Sequence, residues 1–307
     1  MKKKSVLFVC TGNVFRSMSA EYCLKQLLSD RGIKGWRVSS AGIEAMPEPV
    51  HPKTLEVLEK LGIQKIEHKQ KKLTKKMLED NDVVVAIAKD HLDFIQLKLR
   101  HPRVLLFNEL ALRQRTSIWD IEDTVKDYKT NRKAVEKQIE RTVKEIHRKT
   151  PQLFQNISER FYLFSDFMNG LISHRNGYPF ITLYETKNTI AFMSIDIPSK
   201  ESGHVLIIPK KRYADFSEIP AKTRNELLEA IQKIGKAVGV YHGGYNILLN
   251  NGADAGQYIF HVHFHVILRK RNDGVIIESW NRRNISKKDF IKLNDRLKKE
   301  IQRSVVE

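Results

Sequence analysis

The sequence predicts an α/β domain with a parallel sheet, followed by an α+β domain with an antiparallel sheet. The chain has 307 residues, of which 41% are hydrophobic, which is enough for two ordinary cores. Short β-branched runs alternate with longer helical patterns in the first half, as is typical of a parallel sheet covered by helices. The second half has strand-like runs separated by Gly, Asn and Pro turns, and one strong helix interrupts them.

Hydrophobic periodicity places the elements of the first half. We expect strands at 5–9, 36–39, 82–87 and 103–106, and helices at 17–31, 52–62, 74–79, 90–97 and 127–148. The last helix carries apolar residues at helical spacing and then meets Pro151. We therefore place the first domain at 1–148 and a linker at 149–160, with continuation of the helix into the second domain as the alternative.

The second domain is placed at 161–307. Its strands are expected in the segments ITLYET, TIAFMSID, HVLIIPK, YNILLNN and YIFHVHFHVIL, and its one internal helix at 220–239. Residues 286–303 predict a basic amphipathic helix.

Composition excludes several classes of protein. The formal net charge of +18 suits a polyanionic or phosphorylated partner, including nucleic acid, but identifies none. No apolar stretch approaches the roughly 20 residues that cross a bilayer, so no membrane association is expected. Only Cys10 and Cys23 are present, which excludes a disulfide framework and a multi-cysteine metal site. A reactive thiol persists best in a reducing compartment, so we expect a cytoplasmic location.

The stretch VCTGNVFRSMSAEY, residues 9–22, has the composition of an anion-binding loop. A loop that ends at Arg16 and Ser17 where a helix begins directs backbone N–H groups and the positive helix end into one hollow. Cys10 at the floor of that hollow should favour the thiolate nucleophile, and Arg16 can hold two phosphate oxygens. These residues predict thiolate attack on phosphorus with a phosphocysteine intermediate; the alternative is a buried Cys beside a surface Arg.

The passage CTGNVFRS, with AE at 20–21, SAG at 40–42 and WDIED at 119–123, resembles the low-molecular-weight protein tyrosine phosphatase family. The resemblance covers roughly residues 4–148. It implies that Cys10 is the nucleophile, Arg16 the phosphate clamp and Ser17 a donor to the thiolate. It also implies phosphate-loop roles for Gly12 and for Asn13, with Ser40 supporting Asn13.

The same family uses an Asp followed by Pro and aromatic residues to protonate the leaving oxygen. The matching segment here reads Asp123-Thr124-Val125, so we assign the acid to Asp123, with Asp120 as the alternative. The missing Pro and aromatic wall leave the activity of this site and its preference for phosphotyrosine open. Arsenate reductases share the loop but need further redox cysteines. Cys23 is expected to pack in a helix, so we prefer a phosphatase.

The segment HVHFHVIL has a period of two. As a strand it would place His261, His263 and His265 on one face and the intervening apolar residues on the other. A neutral imidazole is a suitable nucleophile near pH 7. A metal site and a polar edge-strand face are the alternatives on pattern alone.

The passages YNILLNNGADAGQYIFHVHFHVILR and IAFMSIDIPSKESGHVLIIPKKR resemble the histidine triad (HIT) family of nucleotide hydrolases and transferases, over roughly 160–270. The resemblance implies that His263 attacks an α-phosphorus and carries the nucleotidyl group, with His261 and His265 flanking it. Asn250 and Gln257 match phosphate-contacting positions. Tyr258 replaces a common Ser or Thr, the ribose contact is Ser194 or Asp196, and His204 is expected to be structural. The zinc-binding cysteines of some relatives are absent, so no metal or other cofactor is expected.

These resemblances together predict a bifunctional hydrolase. The Cys10 site would act on a phosphorylated small molecule or phosphoprotein, and the His263 site on a nucleotide. One alternative confines chemistry to the HIT half and makes the first half a phosphoanion-binding regulatory module. Another is removal of adenylyl groups from DNA or RNA ends. A homodimer through the HIT half and coupling between the two sites are left open.

Overall fold

The first half is built on a four-stranded parallel sheet. The computed structural model describes residues 3–198, 203–240, 242–277 and 285–306. The strands are β1 (Lys4–Cys10), β2 (Trp36–Gly42), β3 (Val83–Ala86) and β4 (Val104–Leu106), in the order β2-β1-β3-β4. Alternate side chains of β1 enter two separate cores, one on each face of the sheet. A strand that is buried on both faces requires the continuous apolar run seen at its sequence.

Helices cover both faces of this sheet. They are α1 (Arg16–Asp30), α2 (Pro52–Lys60), α3 (Lys75–Glu79), α4 (Lys89–Asp93), α5 (Phe107–Leu112), α6 (Ile121–Thr124) and α7 (Arg132–Ile157). A π-helical turn, Phe94–Lys98, extends α4. The four predicted strands and five predicted helices of this half are all present, and the parallel sheet is confirmed.

The segment predicted as a linker, 149–160, is helical. Helix α7 runs through Pro151 to Ile157, a π-helical turn follows at Ser158–Tyr162, and α8 (Leu163–Met168) continues the chain. Leu153 and Phe154 pack into the core of the first half. The hydrophobic spacing of α7 extends past the proline, and burial of these side chains outweighs the one backbone hydrogen bond that Pro151 cannot make.

The second half contains a five-stranded antiparallel sheet in the order β10-β11-β9-β8-β7. Its strands are β7 (Thr182–Glu185), β8 (Thr189–Met193), β9 (His204–Pro209), β10 (Gly244–Leu249) and β11 (Phe264–Arg269). A small ladder of β5 (His174–Arg175) and β6 (Tyr178–Pro179) precedes them. Helix α9 (Ala221–Gly239) packs on one face of the large sheet, and Phe164 of α8 packs on the other. This confirms the predicted α+β fold.

The predicted strand at 258–268 is shorter than expected. Strand β11 begins only at Phe264, so His261 and His263 precede it. The backbone N–H groups of Phe260 and Val262 donate to Arg160 and Tyr213 rather than to a neighbouring strand. The alternation survives, because Val262 and Phe264 still enter the core under α9.

A terminal helix, α10 (Lys287–Val306), lies where the sequence predicts one. Among the described residues, no helix combines the length and apolar character that a membrane crossing requires.

The two halves contact each other through arginines. Arg113 donates to the Tyr258 hydroxyl at 3.1 Å, and Arg115 pairs with Asp254 at 3.2 Å. Phe161 is part of the core of the first half, and Phe260 packs against that core with its ring 4.9 Å from the ring of Phe161. The loop that precedes His261 is therefore held in part by the first half.

Candidate active sites

The first site forms where β1 meets α1. Cys10 ends β1, the loop turns over five residues, and α1 begins at Arg16. The first turn of α1 has no side-chain cap, so its N–H groups and positive end face the loop. Cys10 is 2% exposed and lies in the wall of a cavity of about 430 Å³, with Gly12 and Arg16 beside it. The cavity is suited to an anion at its floor.

Ser17 is oriented toward the Cys10 sulfur. Its hydroxyl oxygen lies 2.9 Å from Sγ. The Asn13 amide donates to the same oxygen at 3.0 Å, which leaves the hydroxyl hydrogen for the sulfur or for the Ala41 carbonyl at 3.4 Å. Because the sulfur is nearer, Ser17 is placed to donate to a thiolate, which the hydrogen bond would stabilise.

A chain of hydrogen bonds holds Asn13. Its second amide hydrogen goes to Ser40 Oγ at 2.7 Å, and Ser40 donates to the Glu21 carboxylate at 2.5 Å. Glu21 is 3% exposed and pairs with Lys25. Asn13 has a φ of 57°, a left-handed conformation that needs such support. Glu21 was not among the predicted site residues, although it lies in the AE pair of the resemblance, because sequence does not show that α1 faces the end of β2.

The loop is also enclosed from behind. A Cβ on Gly42 would lie 2.5 Å from the Thr11 carbonyl oxygen, so only glycine lets β2 approach this closely. His68 donates to the Asn13 carbonyl at 2.6 Å, and the Lys71 N–H donates to its side-chain oxygen at 3.0 Å. Burial lowers the pKa of His68. Asn13 is therefore fixed at both its backbone and its amide.

Asp120, the alternative to Asp123 for the acid, lies beside Arg16, whereas Asp123 does not. Its carboxylate pairs with the Arg16 guanidinium, which also donates to the Ile118 carbonyl at 3.2 Å. Asp120 lines the same cavity as Cys10. Asp123 is exposed and accepts a hydrogen bond from the Asp120 N–H at 3.1 Å. Asp120 caps the four-residue helix α6, and this turn directs Asp123 back toward the cap instead of toward the cavity.

The second site is a cluster of imidazoles beneath α8. The rings of His263 and His265 lie 4.8 Å apart, and Phe164 contacts the rings of His261 and His263 at 5.8 and 5.5 Å. His263 Nδ1 is 2.7 Å from the His261 carbonyl. A carbonyl only accepts, so Nδ1 carries the hydrogen and Nε2 keeps its lone pair. Burial lowers the pKa of His263, which maintains this neutral form.

His204 sets the tautomer of His265. Its Nδ1 donates to the Asp196 carbonyl at 2.6 Å, so its Nε2 accepts from His265 Nδ1 at 2.9 Å. His265 Nε2 then has a lone pair and no hydrogen-bond partner among the described residues. Burial lowers the pKa of His265 to about 3. The sequence predicts only a structural role for His204. It pairs with Ile267 across β9 and β11, diagonal to His265, and that register is not visible in sequence.

His261 is the innermost ring. Its Nε2 donates to the Pro209 carbonyl at 2.7 Å, and burial lowers its pKa to about 3. Its Nδ1 has no hydrogen-bond partner among the described residues. His261 therefore braces the backbone that carries His263, because the His261 carbonyl receives the His263 hydrogen bond.

The loop before the histidines contains Asn250 and Gln257, the two residues that the HIT resemblance predicts to contact phosphate. The Gln257 amide donates to the Ala214 carbonyl at 3.0 Å and accepts from the Gly252 N–H at 2.8 Å. Both ends of this amide are thus used within the protein. Asn250 is half-buried, and its amide nitrogen lies 3.9 Å from the position of a Cβ on Gly256.

Of the two candidate ribose contacts, Ser194 is buried and Asp196 exposed. The Ser194 hydroxyl accepts from the Asp196 N–H at 3.1 Å. An aromatic cluster lies on the same side of the sheet, where Phe167 stacks on Phe180 at 4.3 Å and Phe192 packs against both. These rings can accept a flat heterocycle by stacking or edge contact.

Cys23 is not placed for redox chemistry. It is 2% exposed within α1, and burial raises its pKa to about 12. Within the four described ranges, no group of three or more His, Cys, Asp or Glu side chains is arranged to hold a metal ion.

Two families match the chain. The model of the family described as low molecular weight phosphotyrosine protein phosphatase matches residues 5–161, and the HIT domain model matches residues 177–272. An uncharacterized HIT-like protein of Methanocaldococcus jannaschii is 36% identical over 134 residues, which cover 42% of this chain and 95% of that protein.

Two further relatives have named activities. An adenosine 5'-monophosphoramidase of Schizosaccharomyces pombe is 33% identical over 128 residues, covering 42% of this chain and 93% of that protein. Arsenate reductase 2 of Staphylococcus haemolyticus is 39% identical over 90 residues, covering 29% of this chain and 64% of that protein.

Proposed function

The chain belongs to the low molecular weight phosphotyrosine protein phosphatase family through its first half and to the HIT family through its second, and we propose that each half carries its own hydrolytic site. Both families are hydrolases that act on phosphate esters or phosphoramidates. The first site is proposed as a phosphomonoesterase, and the second as a nucleotidyl hydrolase or transferase.

At the first site, Arg16 exchanges its ion pair with Asp120 for the oxygens of a phosphomonoester. Once it is released from Arg16, the Asp120 carboxylate takes up a proton from water. The Cys10 thiolate attacks phosphorus, the bond to the ester oxygen breaks, and Asp120 gives that proton to the ester oxygen. A water molecule then attacks the phosphocysteine, giving its proton back to Asp120 and releasing inorganic phosphate and the thiolate. A free thiol is required throughout, which suits a reducing cytoplasm.

The chain of hydrogen bonds from Glu21 through Ser40, Asn13 and Ser17 to Cys10 carries this proposal. It supplies a donor aimed at the sulfur and a rigid loop around it. A cysteine that merely ends a strand needs neither. The cavity wall is mostly aliphatic, with Val14, Val50 and Ile121, and its Phe15 ring is only 7% exposed, so we propose no special preference for phosphotyrosine.

Hydrolysis of p-nitrophenyl phosphate between about pH 5 and 8 tests the first site. We expect Cys10→Ser to abolish turnover. Asp120→Asn should lower kcat by about 100-fold, as loss of a general acid does. The matched variant Asp123→Asn should remain within about threefold of the parent. A large loss in Asp123→Asn with none in Asp120→Asn would return the acid role to Asp123.

At the second site, the unprotonated Nε2 of His263 attacks the α-phosphorus of a nucleotide derivative. The bond from phosphorus to the leaving nitrogen or oxygen breaks, the leaving group takes up a proton from the solvent, and a nucleotidyl-histidine results. Water then attacks this intermediate and gives its proton to His265 Nε2, the bond from phosphorus to His263 Nε2 breaks, and the nucleoside monophosphate is released. The fixed tautomers of His263 and His265 support this order, since one ring supplies a lone pair and the other can take up and return a proton.

Adenosine 5'-phosphoramidate is the substrate with which to test the second site, because a relative of this half is named for its hydrolysis. We expect AMP release by the parent and none by His263→Asn. Acid-free mass spectrometry of the parent, mixed with substrate and rapidly quenched, should show an AMP adduct on a peptide containing His263. Adduct formation on Cys10 instead would contradict the assignment.

Three alternatives remain: a phosphoanion-binding first half, a nucleic-acid substrate and a homodimer. If the parent binds inorganic phosphate but hydrolyses no phosphomonoester, the first half is a phosphoanion-binding module. Release of AMP from an adenylylated oligonucleotide, with binding that weakens steeply as salt rises, would support the nucleic-acid alternative. A homodimer through the HIT half is testable by sedimentation equilibrium.

A further inference from the structure

Thr11, the residue after the nucleophile, joins the phosphate clamp to a buried histidine. Its hydroxyl oxygen accepts a hydrogen bond from Arg16 Nη2 at 3.1 Å. The same oxygen lies 2.9 Å from Nε2 of His91. His91 belongs to α4, which begins just after the end of β3, and is 0% exposed. Neither residue was assigned a role from the sequence.

His91 can act only as a donor to Thr11. The Ala88 N–H donates to His91 Nδ1 at 3.1 Å, so Nδ1 is unprotonated. Burial, with the Arg16 charge as a smaller cause, lowers the pKa of His91 to about 3, so the ring is neutral and its hydrogen lies on Nε2. An Asp90 carboxylate oxygen is 3.4 Å from the same nitrogen, but it is farther away and 64% exposed. The Thr11 oxygen is therefore the nearer acceptor.

Two donors then converge on one hydroxyl oxygen. A hydroxyl has two lone pairs, and the His91 and Arg16 hydrogen bonds occupy both. With the Thr11 oxygen held in this way, one edge of the Arg16 guanidinium is fixed. The Ile118 carbonyl fixes Nη1 at 3.2 Å. Both contacts remain in place when a phosphate takes over from Asp120, because neither involves the carboxylate.

We propose that Thr11 and His91 are positioning residues for the phosphate clamp. The neutral His91 orients the Thr11 hydroxyl, and Thr11 holds the Arg16 guanidinium in the plane from which it grips a phosphate. This inference rests on the proposed phosphatase function and adds to it the groups that set the geometry of the clamp. Geometry matters here because a guanidinium binds two phosphate oxygens only when its plane is aligned with them.

The test uses two substitutions at Thr11, one that removes the hydroxyl and one that keeps it. Thr11→Val has nearly the same shape without the hydroxyl, and Thr11→Ser retains it. With p-nitrophenyl phosphate, we expect Thr11→Val to raise both KM and the inhibition constant of inorganic phosphate about tenfold, the scale of one lost hydrogen bond to a charged group. Thr11→Ser should restore most of the affinity. A merely structural defect would reduce the amount of active enzyme without changing the inhibition constant.

His91 is tested in combination with Thr11. We expect His91→Leu to raise the inhibition constant of phosphate, and the double variant Thr11→Val/His91→Leu to be no worse than Thr11→Val, because both act through one hydroxyl. Additive losses would overturn the part assigned to His91. An inhibition constant in Thr11→Val equal to that of the parent would overturn the proposal.

Failure of the proposed function gives a different result. If the parent shows no Cys10-dependent turnover, the proposed phosphatase function is refuted. In that case calorimetric binding of inorganic phosphate to the parent, Thr11→Val and Thr11→Ser proteins still measures the clamp. Weaker binding by Thr11→Val alone would support the positioning role, and equal binding by all three would overturn it.

Discussion

The two sites differ in what they offer a ligand. At the Cys10 site the guanidinium of Arg16 and the hydroxyl of Ser17 both act as donors. At the His263 site the rings offer lone pairs, at Nε2 of His263 and of His265. A phosphate dianion needs donors and no proton, so the first site is ready to bind it. In the proposed reaction, His263 supplies the nucleophile at the second site, and the solvent supplies the proton for the leaving group.

The sites also differ in what supports them. The contacts described for the Cys10 site come from residues 10–123 of the first half. The His263 site depends on the Tyr258 loop, which is held by Arg113 of the first half and by Arg160 of the π-helical turn that follows α7. The HIT site therefore depends on contacts from the phosphatase half, whereas the phosphatase site depends only on residues of its own half. Changes in the first loop should stay local, whereas changes at the interface should reach the histidines.

The largest expected effect is at Asn13. Asn13→Ala removes the bonds to Ser17 and Ser40 and places alanine at a φ of 57°. We expect kcat/KM for p-nitrophenyl phosphate to fall by about 100-fold or more, the scale for loss of a preorganised donor. Asn13→Gly removes the same bonds but tolerates the backbone. Comparable losses in both variants would assign the effect to the amide, and recovery in Asn13→Gly would assign it to backbone strain.

Activity toward adenosine 5'-phosphoramidate is the control for the Asn13 variants. It should stay within about twofold of the parent, because no described contact joins Asn13 to the second half. A parallel loss of both activities would contradict the inference that changes in the first loop affect only the first site.

A smaller effect is expected at the interface. Arg113→Met removes the donor to the Tyr258 hydroxyl and the cation above its ring, 5.3 Å from the centroid. We expect kcat/KM for adenosine 5'-phosphoramidate to fall by about tenfold, as for a lost hydrogen bond to a charged group. Arg141→Met, at an exposed arginine of α7, is the matched control and should change nothing. Equal activity of the Arg113 and Arg141 variants would show that the HIT loop does not depend on the first half.

The pH dependence separates the histidine site from an exposed imidazole. An unperturbed histidine titrates near pH 6.5. Burial lowers the pKa of His263, so its lone pair stays free at lower pH. We expect kcat/KM for adenosine 5'-phosphoramidate to be flat from pH 8 to 6.5 and to decline only below that range. A decline that begins near pH 7 would mean that the free enzyme keeps His263 accessible to water.

Much of the fold follows from hydrophobic spacing. The buried run of β1 and the helical spacing of α7 are strong local signals, and both elements lie where they are expected. The end of α7 was misplaced because Pro151 is a local signal for a break, whereas burial of Leu153 and Phe154 is a tertiary effect. The start of β11 was misplaced because Val262 bonds to Tyr213 of a distant segment.

The site residues, like the fold, could be predicted from the sequence only where the signal is local. The loop from Cys10 to Ser17 is contiguous, so its residues could be named from the sequence. Glu21, His91 and His204 act across neighbouring elements, and their partners depend on packing and register. Asp120 and Asp123 are three residues apart in one short turn, and only the direction of that turn decides which carboxylate reaches Arg16.

The most direct measurement is a crossed assay of Cys10→Ser and His263→Asn, each tested with p-nitrophenyl phosphate and with adenosine 5'-phosphoramidate. We expect Cys10→Ser to lose only the first activity and His263→Asn only the second, with the retained activity near that of the parent. Loss of both activities through either single substitution would contradict two separate hydrolytic sites in one chain.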